Sequence, residues 1–113
     1  MDHATTDDRN PVEAVEGVHL TQLAVGDRMS VQHVRIESGA VVPEHDHPHE
    51  QVGFVYGGEL VFVLADGTER VVGPGGSYRF AGGEPHAAEN RGDETVRAID
   101  VFSPPRADPD WQE

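Results

Sequence analysis

Three of the chain's seven histidines lie within five residues, in the segment "HDHPH". They are His45, His47 and His49, and Gln51 follows two residues later. The chain has no cysteine, so a bound metal ion would need nitrogen and oxygen ligands. Neutral imidazoles and amide oxygens are such ligands for divalent transition metals. We therefore interpret this segment as most of a metal site rather than as a solvated polar loop.

Alternation along a β-strand indicates which of these side chains share a face. Residues two apart in a strand point to the same side, so His45 and His47 are expected to present both imidazoles to one face. Pro48 then turns the chain, and Gln51 enters the next strand on that face. Gly53 follows on the same face and would leave room beside an ion, because it has no side chain.

The other candidate ligands lie before, between and after these residues. His86 follows a "GGEP" turn at the mouth of a later strand, and a barrel would bring it to the same place. His49 has the opposite parity or lies in the turn, and Glu50 is expected to face outward. His33 lies in the middle of a long strand, where it is expected to line the pocket or pack rather than to bind a metal. The predicted metal ligands are therefore His45, His47, Gln51 and His86.

The segment "AIDVFSPPR" at residues 98–106 places Asp100 inside an apolar strand. A buried carboxylate is costly unless it is paired or functional, so Asp100 is a candidate general acid or base near the metal. Arg106 follows two prolines and could hold a substrate carboxylate through a bidentate hydrogen bond. The alternative is an Asp100–Arg106 ion pair that closes the barrel. Phe54, Tyr78 and Phe80 are candidates for lining the pocket, with no catalytic role assigned.

The elements that must position these residues are short strands separated by glycine and proline turns. Apolar or alternating segments occur at residues 18–24, 28–37, 50–56, 59–65, 77–80 and 95–102. The "GG" at 57–58 indicates a hairpin, and no segment has a helical period over about 11 residues. The pattern predicts an all-β barrel or sandwich. We expect a mobile N-terminal arm at 1–16, the barrel at 17–106 and a C-terminal tail at 107–113.

The charge of the chain excludes some classes of partner. Twenty-one acidic residues oppose eight basic ones, all of them arginine, giving a net charge of -13. Such a surface repels nucleic acid and anionic membranes. No segment approaches the ~20 apolar residues of a membrane helix, and no signal-peptide pattern is present, so we expect a cytoplasmic protein. The excess acid without lysine favours adaptation to a salt-rich cytoplasm, where self-repulsion is screened; ordinary acidity is the alternative.

Two motifs in the chain resemble those of the cupin superfamily. The first motif is matched by Gly39, His45, His47, Gln51 and Gly58, and the second by Gly75, Gly83, His86 and Asn90. The sequence departs at Ala81, where proline is common, and at Gln51, where glutamate is common. The resemblance implies a single-domain cupin fold, which is a jelly-roll barrel also called a double-stranded β-helix.

The segments "HDHPHEQ" and "GGSYRF" and the C-terminal run also resemble the small KdgF-type cupins of pectin and alginate breakdown. The run Asp-x-Phe-x-Pro-x-Arg is intact as Asp100, Phe102, Pro104 and Arg106. The resemblance implies an enzyme that converts 4,5-unsaturated uronate monosaccharides, left by polysaccharide lyases, from the cyclic to the linear keto form. It also implies that Asp100 and Arg106 serve catalysis, that Arg106 binds the anionic sugar, and that the protein is a homodimer.

The predicted ligand set constrains the chemistry of the metal. Three neutral imidazoles and a neutral amide leave a divalent ion its full charge, which suits Zn, Ni, Mn, Co or Fe. Such an ion would polarise hydroxyl and carbonyl oxygens as a Lewis acid. The alternatives are another metal-dependent cupin enzyme, such as a dioxygenase or a lyase, and a non-catalytic sugar-binding cupin.

Overall fold

The computed structural model describes residues 1–106, and this part of the chain is almost entirely strands and turns. A 3-10 turn at Thr6–Asp8 precedes β1 (Val12–Val15), β2 (Val18–Val25), β3 (Ser30–Ile36), β4 (Val41–His45), β5 (Glu50–Gly57), β6 (Leu60–Leu64), β7 (Glu69–Val72), β8 (Ser77–Phe80), β9 (His86–Glu89) and β10 (Val96–Ser103). In these residues no helix is long and apolar enough to cross a membrane. The predicted all-β class is confirmed.

The ten strands of the described residues form two antiparallel sheets. One sheet has the order β1-β2-β3-β10-β5-β8, and the other has the order β4-β9-β6-β7. Buried and more exposed residues alternate along β3, β5 and β10, as expected where one face of each strand is directed to a shared interior. The inner faces supply a core that includes Val18, Ile36, Val55, Val96 and Phe102.

One polar residue of the core explains a position of the second motif. Asn90 is almost fully buried, and its amide nitrogen donates hydrogen bonds to the backbone oxygens of Ile36 (2.9 Å) and Glu94 (2.8 Å). Its side-chain oxygen accepts a hydrogen bond from the Gly92 amide at 3.1 Å. All hydrogen-bonding groups of this side chain are therefore used within the fold, and Asn90 is a structural residue rather than part of the metal site.

The strands differ from the predicted ones in two places, and one predicted segment cannot be compared. Residues Val12–Val15 pair with β2, so the sheet begins inside the segment that was expected to be a mobile arm. Val41–His45 forms a strand that the alternation did not indicate. The predicted tail at 107–113 lies outside the described residues.

The predicted hairpin at the "GG" of residues 57–58 is wrong. β5 pairs with β8 and β10, whereas β6 pairs with β7 and β9, so the chain passes here from one sheet to the other. Gly58 has a φ of +71°, and a Cβ at this position would lie 2.8 Å from the backbone oxygen of Thr95. The glycine is required by this crossing rather than by a hairpin turn.

Candidate metal centre and active site

Three histidines lie close together: His45 at the end of β4, His47 just after it and His86 at the start of β9. His45 ends β4 and pairs in register with His86, the first residue of β9. His47 lies in the bend after β4, so the prediction that it shares a strand face with His45 is wrong. The bend still directs its ring inward, and the ring centroids lie 4.5 Å (His45–His86), 5.4 Å (His47–His86) and 5.9 Å (His45–His47) apart. One ring nitrogen from each residue lies within 4.8 Å of the others.

Backbone carbonyl groups fix the tautomer of all three imidazoles. The Nδ1 atoms of His45, His47 and His86 lie 2.9, 3.0 and 2.8 Å from the backbone oxygens of Pro43, His49 and Glu84, respectively. A carbonyl oxygen can only accept a hydrogen bond, so each Nδ1 carries the proton and each Nε2 keeps its lone pair. Such outer hydrogen bonds are typical of metal-binding histidines.

Burial keeps two of these imidazoles in the neutral form that binds metals. Desolvation lowers the pKa of His47 below its ordinary value and lowers that of His86 to about 4. The rings are also held in place by aromatic neighbours. Phe80 stacks on His86 with centroids 3.9 Å apart and planes 9° apart, and Phe102 packs edge-on against His47 at 5.5 Å. The site is thus preorganised for a cation.

Gln51 occupies the fourth predicted position, buried on the inner face of β5. Its Oε1 lies 3.0 Å from His47 Nε2. With the proton on Nδ1, both of these atoms are acceptors, and a cation shared between them satisfies both. The Gln51 side chain also hydrogen-bonds to the Asp100 carboxylate, a bond that a glutamate at this position could make only when protonated. The amide therefore fits a metal site that must coexist with a buried carboxylate.

Asp100 lies on the inner face of β10, as predicted, and is buried. Burial raises the pKa of its carboxyl group to about 6, against the opposing effects of hydrogen bonds from Tyr78 and Gln51 and of the nearby Arg106 charge. The Tyr78 hydroxyl donates to Asp100 Oδ1 at 2.5 Å. A carboxyl group held in this way next to the imidazoles can take up and release a proton near neutral pH.

The backbone of Arg106 is tied to the start of β3 and to β2. Its amide donates to Ser30 Oγ at 2.8 Å, and its carbonyl oxygen accepts from Gln22 Nε2 at 3.2 Å. The guanidinium carbon lies 5.2 Å from the centroid of the Phe102 ring, within range of a cation–π interaction. Arg106 lines the same cavity as Asp100, so the two predicted catalytic residues face one space.

That space is a cavity of about 480 Å³ inside the barrel. Its lining includes two of the histidines, Gln51, Asp100 and Arg106, together with apolar residues such as Val34 and Leu60. Two exposed carboxylates, Glu44 and Asp46, also line it. The cavity is of the size that binds small molecules.

The structure decides three further expectations about single residues. His33 points to the outer face of β3 and lies 2.6 Å from the Tyr56 hydroxyl, so it packs on that face, which was one of its two expected roles, and does not line the cavity. The space over Gly53 is filled by the Tyr78 ring and the Asp100 carboxylate, so it is not room for an ion. Phe54 is 46% exposed on the outer face and does not line the pocket.

Other expectations agree with the structure. Glu50 points outward and forms an exposed ion pair with Arg79 at 2.8 Å. Among the described residues, His49 is outside the group of converging histidines, and its ring packs near Phe102. Tyr78, a candidate for lining the pocket with no catalytic role assigned, does line the cavity and also contacts Asp100 directly. Its position two residues before Phe80 in the alternating "SYRF" segment was the only sequence signal that it faces inward.

Residues 32–102 match the protein family described as "Cupin domain". The chain is a cupin. The fold of this cupin is similar over 96% of its length to that of KdgF from a Halomonas species, with a TM-score of 0.84, 25% identity and 97% of that structure covered. The predicted resemblance to small KdgF-type cupins is thereby confirmed.

Two curated relatives match parts of this cupin. Dimethylsulfoniopropionate lyase DddQ from Ruegeria pomeroyi is 33% identical over 61 residues, which are 54% of this chain and 30% of that protein. The H2HPP isomerase of Bacillus subtilis is 35% identical over 60 residues, 53% of this chain and 25% of that protein. The matches thus span less than a third of each relative, and both relatives are named as enzymes of different reactions.

Proposed function

We propose that this cupin is a metal-dependent enzyme that converts 4,5-unsaturated uronate monosaccharides, the products of pectin and alginate lyases, from the cyclic to the linear keto form. The observation that carries the proposal is that the buried carboxyl group of Asp100 lines the same cavity as Arg106 and three of the predicted metal ligands, His45, Gln51 and His86. The whole-length similarity to KdgF supports the same assignment.

The reaction is an isomerisation and needs no second reactant. The anomeric hydroxyl loses its proton, the bond between C1 and the ring oxygen breaks, and C1 becomes an aldehyde. The electron pair of that bond moves to the ring oxygen, which becomes an enolate conjugated with the C4=C5 double bond. A proton added at C4 then gives the 5-keto product. One proton is removed and one is delivered, so a single general acid–base group suffices.

The residues of the cavity match these needs. His45, His47, His86 and Gln51 would hold a divalent ion (Zn, Ni, Mn, Co or Fe), which supplies Lewis-acid polarisation of substrate oxygens when bound. Asp100 accepts the proton of the anomeric hydroxyl and returns one to C4. Arg106 binds the C6 carboxylate, and Phe102 beneath its guanidinium group restricts where that group can lie.

The test is to mix metal-loaded protein with freshly generated 4,5-unsaturated galacturonate and to follow loss of the ultraviolet band of the C4=C5 bond. Buffer alone is the control, because the ring also opens without an enzyme. We expect loss faster than in buffer, a rate that Asp100→Asn lowers strongly but leaves above that of buffer, and a KM raised by Arg106→Ala. A rate equal to that of buffer with every one of the five metals would refute the proposal.

The apolar residues of the cavity lining favour a second candidate. Residues such as Val34 and Leu60 suit a substrate with an apolar part, which a monosaccharide lacks. The second candidate is therefore another metal-dependent cupin reaction, an oxygenation or an elimination. Oxygen uptake by the iron-loaded protein would support an oxygenation, whereas sugar binding without turnover would indicate a non-catalytic cupin.

We also propose that two copies of the chain pair through the outer face of β5, β8 and β10. The exposed side chains of Val52, Phe54 and Tyr56 lie in the middle of this face. Glu50 is the one carboxylate that these three strands direct outward, and it is paired with Arg79. On a chain with a net charge of -13, this face offers a second copy apolar contact with little repulsion.

A further inference from the structure

Tyr78 and Asp100 lie on two strands that flank the same residue of β5. Gly53 pairs with Tyr78 of β8 on one side and with Asp100 of β10 on the other. Neighbouring strands are about 4.8 Å apart, so the backbones of Tyr78 and Asp100 are separated by about twice that distance. The tyrosine side chain spans the gap by crossing over Gly53, and its hydroxyl reaches Asp100 Oδ1 at 2.5 Å.

The crossing is possible because residue 53 has no side chain. A Cβ atom built on Gly53 would overlap the Tyr78 ring carbon Cζ, the Tyr78 hydroxyl and Asp100 Oδ1. Gly53 does not have a positive φ, so the backbone would accept alanine without strain. The glycine is thus needed for space, and the space is that of the Tyr78–Asp100 hydrogen bond.

The hydroxyl of Tyr78 is a permanent donor in this position. Burial and the negative charge of Asp100 both raise the pKa of Tyr78 far above its ordinary value, so the hydroxyl keeps its proton throughout the working range. The ring of Phe62 packs against the Tyr78 ring, with the two centroids 4.5 Å apart. The Asp100 carboxylate therefore accepts a hydrogen bond from Tyr78 of β8, and Gln51 of β5 also interacts with it and lowers its pKa.

We propose that Tyr78 is a positioning residue for the ring-opening reaction. Its hydroxyl, for which Gly53 leaves space, fixes the side-chain rotation of Asp100 so that the carboxylate faces the bound sugar. The inference rests on the proposed function. Tyr78 acts through Asp100 and exchanges no proton with the substrate. Removal of the hydroxyl leaves the carboxylate in place but able to rotate, which slows proton transfer and leaves substrate binding by Arg106 intact.

The first test is a double-mutant cycle on the metal-loaded enzyme. Loss of a hydrogen bond to a charged group predicts that Tyr78→Phe lowers kcat by about 10- to 150-fold, with KM and metal content unchanged. In the Asp100→Asn background, Tyr78→Phe is expected to have no further effect on the residual rate. The matched control is Tyr56→Phe, which removes a hydroxyl that bonds His33 on the outer face. Multiplying effects of the two substitutions would show that Tyr78 does not act through Asp100 and would overturn the inference.

The second test addresses Gly53. Gly53→Ala is expected to lower kcat as Tyr78→Phe does, because the methyl group drives the hydroxyl and the carboxylate apart. The matched control is Gly57→Ala on the same strand, where a Cβ would lie 3.5 Å from the flexible Arg97 side chain. Full kcat in Gly53→Ala with a folded barrel would contradict the inference.

A third measurement separates failure of this inference from failure of the proposed function. Carbon-13 NMR of zinc-loaded protein labelled at the aspartate carboxyl groups reports on Asp100, whose signal is assigned by its absence in Asp100→Asn. We expect that signal to move in Tyr78→Phe and in Gly53→Ala but not in Tyr56→Phe. If the wild type fails to open the sugar, the proposed function is wrong, and the positioning of Asp100 is still decided here. An unmoved signal in Tyr78→Phe overturns the inference whether or not the sugar reacts.

Discussion

Replacing Gln51 by glutamate tests how one side chain serves both the metal and Asp100. In the structure the amide oxygen faces His47 Nε2 at 3.0 Å, and the same side chain hydrogen-bonds to the Asp100 carboxylate. In Gln51→Glu the oxygen remains, but the donor becomes a second oxygen. Two carboxyl groups then face each other in a buried site, and one of them must take up a proton. An Asp100 that shares a proton with its neighbour is impaired as a base.

The magnitude follows from the lost hydrogen bond. A bond to a charged group contributes about 1.5–3 kcal/mol, which corresponds to about a 10- to 150-fold loss of kcat if it is realised in the transition state. The affinity for a divalent ion should change in the opposite direction, because a carboxylate adds a negative charge beside the ion. We therefore expect Gln51→Glu to bind metal more tightly and to turn over more slowly.

The assay pairs the sugar-opening rate with metal affinity from chelator competition, both on the same preparation. Glu50→Gln is the control, since it changes the neighbouring residue but removes only an exposed ion pair with Arg79, a class of interaction worth about 0–1 kcal/mol. The reasoning would be refuted by a Gln51→Glu enzyme that keeps the wild-type rate, or by one that loses metal.

Three further predictions follow from the surface of the protein. Its -13 charge predicts a midpoint of thermal unfolding that rises between 0.1 M and about 1 M salt, where the Debye length falls to about 3 Å; a flat profile would indicate ordinary acidity. Phe54→Glu on the outer face should convert a dimer to a monomer in analytical ultracentrifugation with sugar opening unchanged, and a wild-type monomer would reject the pairing face. Burial and the charges of Arg97 and Arg35 hold the pKa of His33 below its ordinary value. Its neutral form is therefore favoured by folding, and the stability it contributes is present above pH about 6.5 and lost as the pH falls below that. The difference in unfolding free energy between wild type and His33→Asn should accordingly shrink between pH 7 and pH 5, and an unchanged difference would contradict this reasoning.

Three of the predicted metal ligands, His45, His47 and Gln51, could be grouped from the sequence because they lie close together along the chain. His86 lies far along the chain and was grouped with them by the turn before it and by the spacing of the second motif. The reason given for His45 and His47 was nevertheless wrong, since β4 ends at His45 and the bend directs His47 inward. The spacing predicted that these residues lie together, but it did not predict the local backbone conformation that brings them together.

The role of Tyr78 could not be read from the sequence, because it depends on two pairings at once. Residue 53 must pair with residue 78 on one side and with residue 100 on the other, and these partners lie 25 and 47 positions along the chain. Alternation indicated the inward face of each strand separately. Only the register of β5 between β8 and β10 shows that Gly53 lies between Tyr78 and Asp100. Because Gly53 has no side chain, the side chains of these two residues can meet above it.

The neutral ligand set and the acidic surface have a common consequence for an anionic substrate. A net charge of -13 would repel the proposed uronate substrate at long range, and Glu44 and Asp46 line the cavity that it would enter. Under the proposed function, attraction would come from inside the cavity, where Arg106 and a divalent ion held by neutral ligands would oppose the carboxylate of Asp100. A glutamate at position 51 would cancel one of those positive charges next to the substrate. The amide of Gln51 therefore preserves both the donor that Asp100 needs and the local positive potential that an anionic sugar requires.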